Sequence, residues 1–352
     1  MSIINNMPSV GSSEIQNINI GLDISLNDEE LEQLPYRFYG GSAVVYNNEI
    51  HILGSEYDNN TRSYHYKYNG TTNKWTQVSR LPYYFDNGSA VVYNNEIHIL
   101  GGYGHYTKHY KYNGSSWTSV STLPYNFYDG SAVVYNNEIH ILGSYDGTTK
   151  HYKYNGSSWT SVSTLPYEFY QGSAVVYNNE IHILGSGNGQ TKHYKYNGSS
   201  WTSVSTLPYN FYYGSAVVYN NEIHILGSSN GYYYTKHYKW NGSWTSVSTL
   251  PRYFYNGSAV VYNNEIHILG GDSAGNTNKH NKYKDIISWT NITTSILNKI
   301  SIPKDMIIQC SSYDTSKTNS STLQSLGSNK YKALSDTIVY TKEDKVNITN
   351  HQ

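Results

Sequence analysis

Gly41-Ser42-Ala43-Val44-Val45-Tyr46-Asn47-Asn48-Glu49-Ile50-His51-Ile52-Leu53-Gly54 decides the reading of this chain, because the stretch returns letter for letter five more times. The copies are Gly88–Gly101, Gly130–Gly143, Gly172–Gly185, Gly214–Gly227 and Gly257–Gly270. Their starts lie 47, 42, 42, 42 and 43 residues apart. A period of about 40–50 residues with strand-like content marks a propeller, in which each copy is one small sheet that buries its faces against its neighbours.

Each copy holds four strand candidates. Strand A, Ser42–Tyr46 in the first copy, is apolar on both faces and is expected to be buried on both. Strand B, Glu49–Leu53, is nearly as apolar. Strand C, Lys108–Tyr112 in the second copy, alternates, and strand D, Trp117–Ser121, is mostly polar. Polarity rises from A to D, as expected if A lies by a central axis and D at the rim. Asn47-Asn48 joins A to B in two residues, and Asn tolerates the positive φ of a tight hairpin. Asn113-Gly114 and its counterparts join C to D, and Leu-Pro, as at Leu123-Pro124, ends strand D because proline donates nothing to a ladder. From each Trp to the Gly that opens the next copy is always 13 residues, so the crossover between blades has fixed geometry.

An apolar strand ending in Gly-Gly, then a Tyr, then a Trp, as in Ile99-Leu100-Gly101-Gly102, Tyr112 and Trp117, resembles the kelch repeat. The resemblance covers the six copies, from Leu34 to about Ile292. It implies an all-β, kelch-like β-propeller of six four-stranded blades, with seven as the alternative, and makes Trp75, Trp117, Trp159, Trp201, Trp244 and Trp289 blade-packing residues. The pattern departs from the family where Ser55, Ser144, Ser186 and Ser228 replace the second Gly, kept only at Gly102 and Gly271, and where His51 and its equivalents replace an aromatic. The family includes enzymes such as galactose oxidase and a sialic acid mutarotase. The first needs a copper site with a Tyr–Cys crosslink, and Cys310, the only cysteine, lies outside the repeats.

The organisation read from the sequence is an N-terminal attachment segment over 1–33, the propeller over 34–292 and a C-terminal appendage over 293–352. Ile18–Leu26 alternates weakly, as one strand would, and Asp336–Ile348 echoes the A–B hairpin; together they could form a composite seventh blade. Met1–Asn17 has no Lys or Arg and no apolar run, which argues against a signal peptide. The net charge of −1 leaves no basic field for nucleic acid or an anionic membrane, and no apolar run is long enough to span a bilayer.

Comparing the chain with itself separates two faces. The A–B turn never varies and the C–D turn varies little. The B–C loops and the D-to-A crossovers, which share the opposite face, differ from copy to copy. Their Tyr, Asn, Gly and Asp chemistry is that of an adaptable contact surface on a rigid scaffold. The candidate ligand-binding residues are Arg37, Tyr57, Tyr84, Tyr103, His105, Tyr106, Tyr145, Glu168, Tyr213, Tyr232, Tyr233, Tyr234 and Tyr253.

Twelve of the 14 histidines fill two repeat positions, on strands B and C, so His51 and His65 and their equivalents are expected to be structural neighbours within each blade. One such position per blade gives a wide ring, not the convergent set a metal needs. Asp272-Ser273-Ala274-Gly275-Asn276 lacks a full calcium ligand series and reads as a turn. Neither a nucleophile elbow nor a phosphate-binding glycine loop occurs. The expectation is a binding module without catalysis, metal or cofactor, recognising a cell-surface glycan or protein through the individual face. The chain also resembles kelch-containing phage structural and tail proteins, which implies that the terminal segments mount it on other virion subunits, with the phage virion as location and the cytoplasm otherwise. A scaffolding propeller and a carbohydrate-active enzyme, whose turnover would depend on Glu168, are the alternatives.

Overall fold

The computed structural model describes residues 19–22, 31–56, 58–187, 190–229, 234–271, 277–284, 287–290, 300–302, 306–309, 320–327, 329–335, 337–339 and 347–350. The chain divides into two compact units, Leu26–Tyr283 and a second made of Met1–Ser25 with Lys284–Gln352.

The first unit is a six-bladed β-propeller. Blade 1 is an antiparallel meander of Ser42–Tyr46, Glu49–Leu53, His65–Asn69 and Lys74–Gln77, and blades 2 to 5 repeat it in the same order. The A–B register places Tyr46 opposite Glu49 across Asn47 (φ 49°) and Asn48 (φ 59°), the positive-φ turn expected from the sequence. Strand A is innermost. Ser42, Ala43 and Val45 are nonetheless only half-buried, while Ile50, His51, Ile52 and Leu53 of strand B are fully covered. Strand A borders the central axis on one side, whereas strand B is flanked by strands in its own sheet and by sheets on both faces.

Two closed circuits of hydrogen bonds tie the blades around the axis. In one, the Ser Oγ that opens each strand A accepts from the Ala N–H of the next blade: Ser42 from Ala90, Ser89 from Ala132, Ser131 from Ala174, Ser173 from Ala216, Ser215 from Ala259, and Ser258 from Ala43, at 3.1–3.2 Å. The last link returns to blade 1, so six blades close and no seventh is inserted. Farther out, all six phenylalanines occupy one crossover position and are fully buried. The carbonyl of each faces a Gly that ends strand B of the preceding blade: a Cβ built on Gly54 would lie 1.8 Å from Phe85 O, and one on Gly270 2.0 Å from Phe38 O.

The sixth blade contributes three strands, Ser258–Tyr262, Glu265–Leu269 and His280–Tyr283. Its outer edge is lined by chain from the N-terminal side. Leu34 N–H donates to Asn278 O and Phe38 N–H to Thr277 O, as Leu123 and Phe127 do to Thr107 and Tyr106 in blade 2. Ile287–Thr290, which carries Trp289 and resembles a strand D in sequence, pairs instead with Asn19–Leu22 inside the second unit. Residues 31–38 thus belong with the propeller and clasp its last blade to its first. Leu34→Ala, at a buried position (3 % exposed), is expected to cost about 2–5 kcal/mol, read as a lowered urea midpoint.

The second unit also holds a four-stranded sheet in the order Leu323–Gly327, Lys330–Ala333, Met306–Gln309, Asn347–Asn350, and a pair formed by Ile300–Ile302 and Thr337–Val339. The two ends of the 336–348 stretch therefore join different sheets, not a hairpin and not a seventh blade. The alternation that suggested a strand near Ile20 does correspond to one, Asn19–Leu22.

Candidate binding face

The uniform and individual faces separate as the repeat comparison implies. On the uniform face Asn113 Oδ1 accepts from the N–H groups of Ser115 and Ser116, and Asn155 and Asn197 repeat that turn. On the other face the B–C loops of blades 1 to 5 are each bonded to a crossover, with Glu56 N–H donating to Tyr39 O, Tyr103 to Asp86, Tyr145 to Tyr128, Gly187 to Tyr170 and Ser229 to Tyr212. The serines that replace the second Gly support the same joint. Ser55 Oγ donates to Arg37 O at 2.8 Å, Ser186 Oγ to Glu168 O at 2.9 Å and Ser228 Oγ to Asn210 O at 2.9 Å.

The second closed circuit sits at the mouth of the axis. Asn87 N–H donates to Gly40 O, Asp129 to Asn87, Gln171 to Asp129, Tyr213 to Gln171, Asn256 to Tyr213, and Gly40 to Asn256, all at 2.6–2.7 Å. All six residues have positive φ, from 52° to 67°. The backbone thus forms a tight collar, and five residue types, Gly, Asn, Asp, Gln and Tyr, stand on one symmetric frame. Gln171 Nε2 donates to Asp129 Oδ2 at 3.2 Å and also to the Tyr213 hydroxyl, while Asn87 Nδ2 donates to Glu56 Oε2 at 3.2 Å. Burial, then neighbouring Glu56 and Asp86, push Asp129 up to about 6 despite its bond to Gln171. Asp86 is 2 % exposed and is likewise raised to about 6 by burial, with the Arg62 guanidinium 3.5 Å away opposing the shift. The collar is therefore acidic on its blade 1 to blade 3 side.

Around the collar lie tyrosines. Among the described residues of the propeller unit, the exposed large apolar side chains are Tyr84 (48 %), Tyr103 (57 %), Tyr145 (50 %) and Tyr253 (56 %). All four stand on the individual face and all four were named from the sequence. Arg37 and Glu168 are also exposed there, on crossovers. Tyr106 packs against Tyr128 at 4.9 Å and Tyr234 against Tyr253 at 5.2 Å. Tyr213 belongs to the collar itself. His105 is half-buried against Tyr83, 5.1 Å between rings, and its pKa is lowered by burial and then by Lys108. Tyr57, Tyr232 and Tyr233 lie outside the described residues, as does the 272–276 loop.

The residue after each crossover Phe was not singled out from the sequence. It is Tyr39, Tyr128, Tyr170, Tyr212 and Tyr255 in five blades and Asp86 in the other. The signal was present as the one Asp in a Tyr column.

The histidines pair as expected. His51 Nδ1 and His65 Nε2 are 2.8 Å apart, and the same bond joins His98–His109, His140–His151, His182–His193, His224–His237 and His267–His280. Each is at most 3 % exposed, and the strand C member packs against the next blade, as His65 does on Tyr112 and Trp117 at 5.1 and 5.6 Å. Trp75 closes the ring on His280 at 5.6 Å. The described residues hold no cluster of three or more His, Cys, Asp or Glu able to bind a metal ion.

Fold and site together define the chain as a six-bladed propeller with one uniform face and one individual, tyrosine-bearing face. No protein-family model matches the chain, and no curated protein matches it. Among solved structures, one titled "Structure of YjhT" matches with a TM-score of 0.62 at 16% identity, over 73% of this chain and 96% of that one. At that identity the likeness concerns the fold alone. No helix among the described residues is long and apolar enough to cross a membrane.

Proposed function

We propose that the chain is a non-catalytic, kelch-type binding module that recognises a glycan or protein on a host cell through its individual face. The observation that carries this reading is the distribution of Tyr84, Tyr103, Tyr145 and Tyr253. Every large, exposed apolar side chain described in the propeller lies on the face where the copies differ. Exposed tyrosines stabilise a folded protein little, and an amphipathic ring that hydrogen-bonds and packs in one residue suits contact with a partner. The invariant collar beneath them holds the loops rigid, which limits the entropy lost on binding.

The second unit, where strands from both ends of the chain pair, suits attachment to a larger assembly, and we assign that assembly as a phage virion. Six letter-perfect copies fit recent amplification, and the loops that differ are those such amplification would diversify. In a scaffolding propeller the uniform face would instead carry the contacts, since its six near-identical turns would suit a symmetric partner.

The test is binding of the fluorescently labelled full chain to a panel of bacterial strains. Strain-selective binding is expected, reduced at least about ten-fold when Tyr84, Tyr103, Tyr145 and Tyr253 are all changed to Ser. Circular dichroism and the thermal midpoint should stay unchanged. Absence of binding to every strain, or binding that survives the quadruple change, contradicts the reading.

A further inference from the structure

Five tyrosines from blades 2 to 4 form one continuous series on the individual face. Tyr103 and Tyr106, from the blade 2 loop, pack on Tyr128 at 6.1 and 4.9 Å; Tyr128 packs on Tyr145 at 5.3 Å, and Tyr145 on Tyr170 at 5.7 Å. Tyr103 and Tyr145 stand proud while Tyr106, Tyr128 and Tyr170 are half-buried beneath them. Beside Tyr103, a Cβ built on Gly104 would meet nothing within 4 Å, so the approach to that ring is open. The result is a stepped aromatic shelf that follows the rim.

The charged groups that act on the shelf tyrosines are carboxylates. Asp146 Oδ1 accepts from the Tyr128 hydroxyl at 3.3 Å. The Glu168 carboxylate lies over Gly147, where a Cβ would come within 3.1 Å of its Oε2, and it raises the Tyr170 pKa, second to burial. Asp129 stands on the collar side and adds to the rise at Tyr128, behind burial and Asp146. Lys150 is held over the Tyr125 ring at 5.2 Å, and Lys108 lies beside His105.

We infer that this shelf is a subsite for an uncharged glycan chain, whose sugar rings stack on Tyr103 and Tyr145 and hydrogen-bond to Asp146 and Glu168, and that it rejects glycans bearing carboxylate or sulfate groups. Pyranose rings present C–H faces that suit an aromatic ring, and their hydroxyls donate well to carboxylates. An anionic sugar would meet Asp146, Glu168 and Asp129 at close range, and like-charge contacts of that kind discriminate strongly. The inference rests on the individual face being the binding face.

The test applies the labelled full chain to an array of immobilised glycans, in which neutral oligosaccharides are matched by uronic acid, sialylated and sulfated ones. Neutral members are expected to bind and anionic ones to stay blank. Tyr103→Ser and Tyr145→Ser should each weaken binding about ten-fold, while Thr118→Ala and Thr160→Ala, at exposed positions on the outer strands, should leave it unchanged. Asp146→Asn with Glu168→Gln should let carboxylated analogues of the bound glycan register. Failure of every neutral glycan to bind, or preference for anionic ones, overturns the inference. Cell binding lost with Tyr84 and Tyr253 but not with Tyr103 and Tyr145 sinks the shelf and spares the face. Cell binding abolished by protease treatment of the cells but not by periodate sinks the glycan class alone. Cell binding indifferent to all four tyrosines sinks the face and the shelf together.

Discussion

Lowering the pH from 7 to 5 is expected to unfold the propeller in one steep, cooperative transition. Six buried histidine pairs sit between blades, and eleven of the twelve residues have lowered pKa values. Burial is the first cause at every site, with the pair partner second for the strand C members. His51, His98, His140 and His182 are lowered to about 4, and His65, His109, His151, His193 and His267 to about 3. A lowered folded-state pKa means that the unfolded chain takes up the proton first. Stability is therefore full above about 6.5 and falls as pH drops toward the folded values.

Each such histidine costs about 1.4 kcal/mol per pH unit below 6.5, hence about 2 kcal/mol by pH 5. Eleven together exceed the roughly 5–15 kcal/mol that holds a typical domain folded. Asp86 and Asp129, raised to about 6, act in the opposite sense but are only two. Far-ultraviolet circular dichroism and tryptophan fluorescence, followed to equilibrium, should fall together between pH 6.5 and 5 with uptake of more than about five protons. A native spectrum retained at pH 4.5 would refute this account of the histidine pairs.

Gly143→Ala is expected to leave little folded protein. Gly143 has φ +66°, and a Cβ there would lie 1.8 Å from Phe169 O, so the side chain meets backbone, not a flexible tip. The crossover cannot retreat, because Phe169 is fully buried and its ring lies against Gly172, whose own Cβ would be 2.5 Å from Phe169 Cε2. The strain and the displaced crossover together should exceed about 3 kcal/mol. Phe169→Ala, which empties the same joint, should cost about 3–5 kcal/mol. Urea denaturation should place both variants well below the parent. A Gly143→Ala midpoint within error of the parent would mean that the joint is soft.

The repeat made most of the propeller readable. Asn47-Asn48 announced its turn and the two His columns announced their pairing, but strand A, apolar on both faces, is half-buried along the axis while the slightly more polar strand B is the one fully covered. The edge of blade 6 was hidden because Ser288-Trp289-Thr290 looks like a strand D, whereas Leu31 and Leu34 keep only the spacing of Val120 and Leu123. Nothing local distinguishes a strand that stays in its blade from one that pairs with residues 19–22. The tyrosines of the individual face were legible as differences among otherwise identical copies. The collar was not, because its partners lie about one repeat apart and bond through the backbone. Position 40, 87, 129, 171, 213, 256 tolerates five residue types since only positive φ and an N–H are required of it.

Hydroxyl-radical footprinting of the full chain, free and bound to cells of a strain it adheres to, tests the central claim most directly. The account predicts protection of Tyr84, Tyr103, Tyr145 and Tyr253 on the individual face, with Trp117, Trp159 and Trp201 on the outer strands modified at their free rates. Unprotected face tyrosines, with protection confined to the outer strands or the uniform turns, would contradict it.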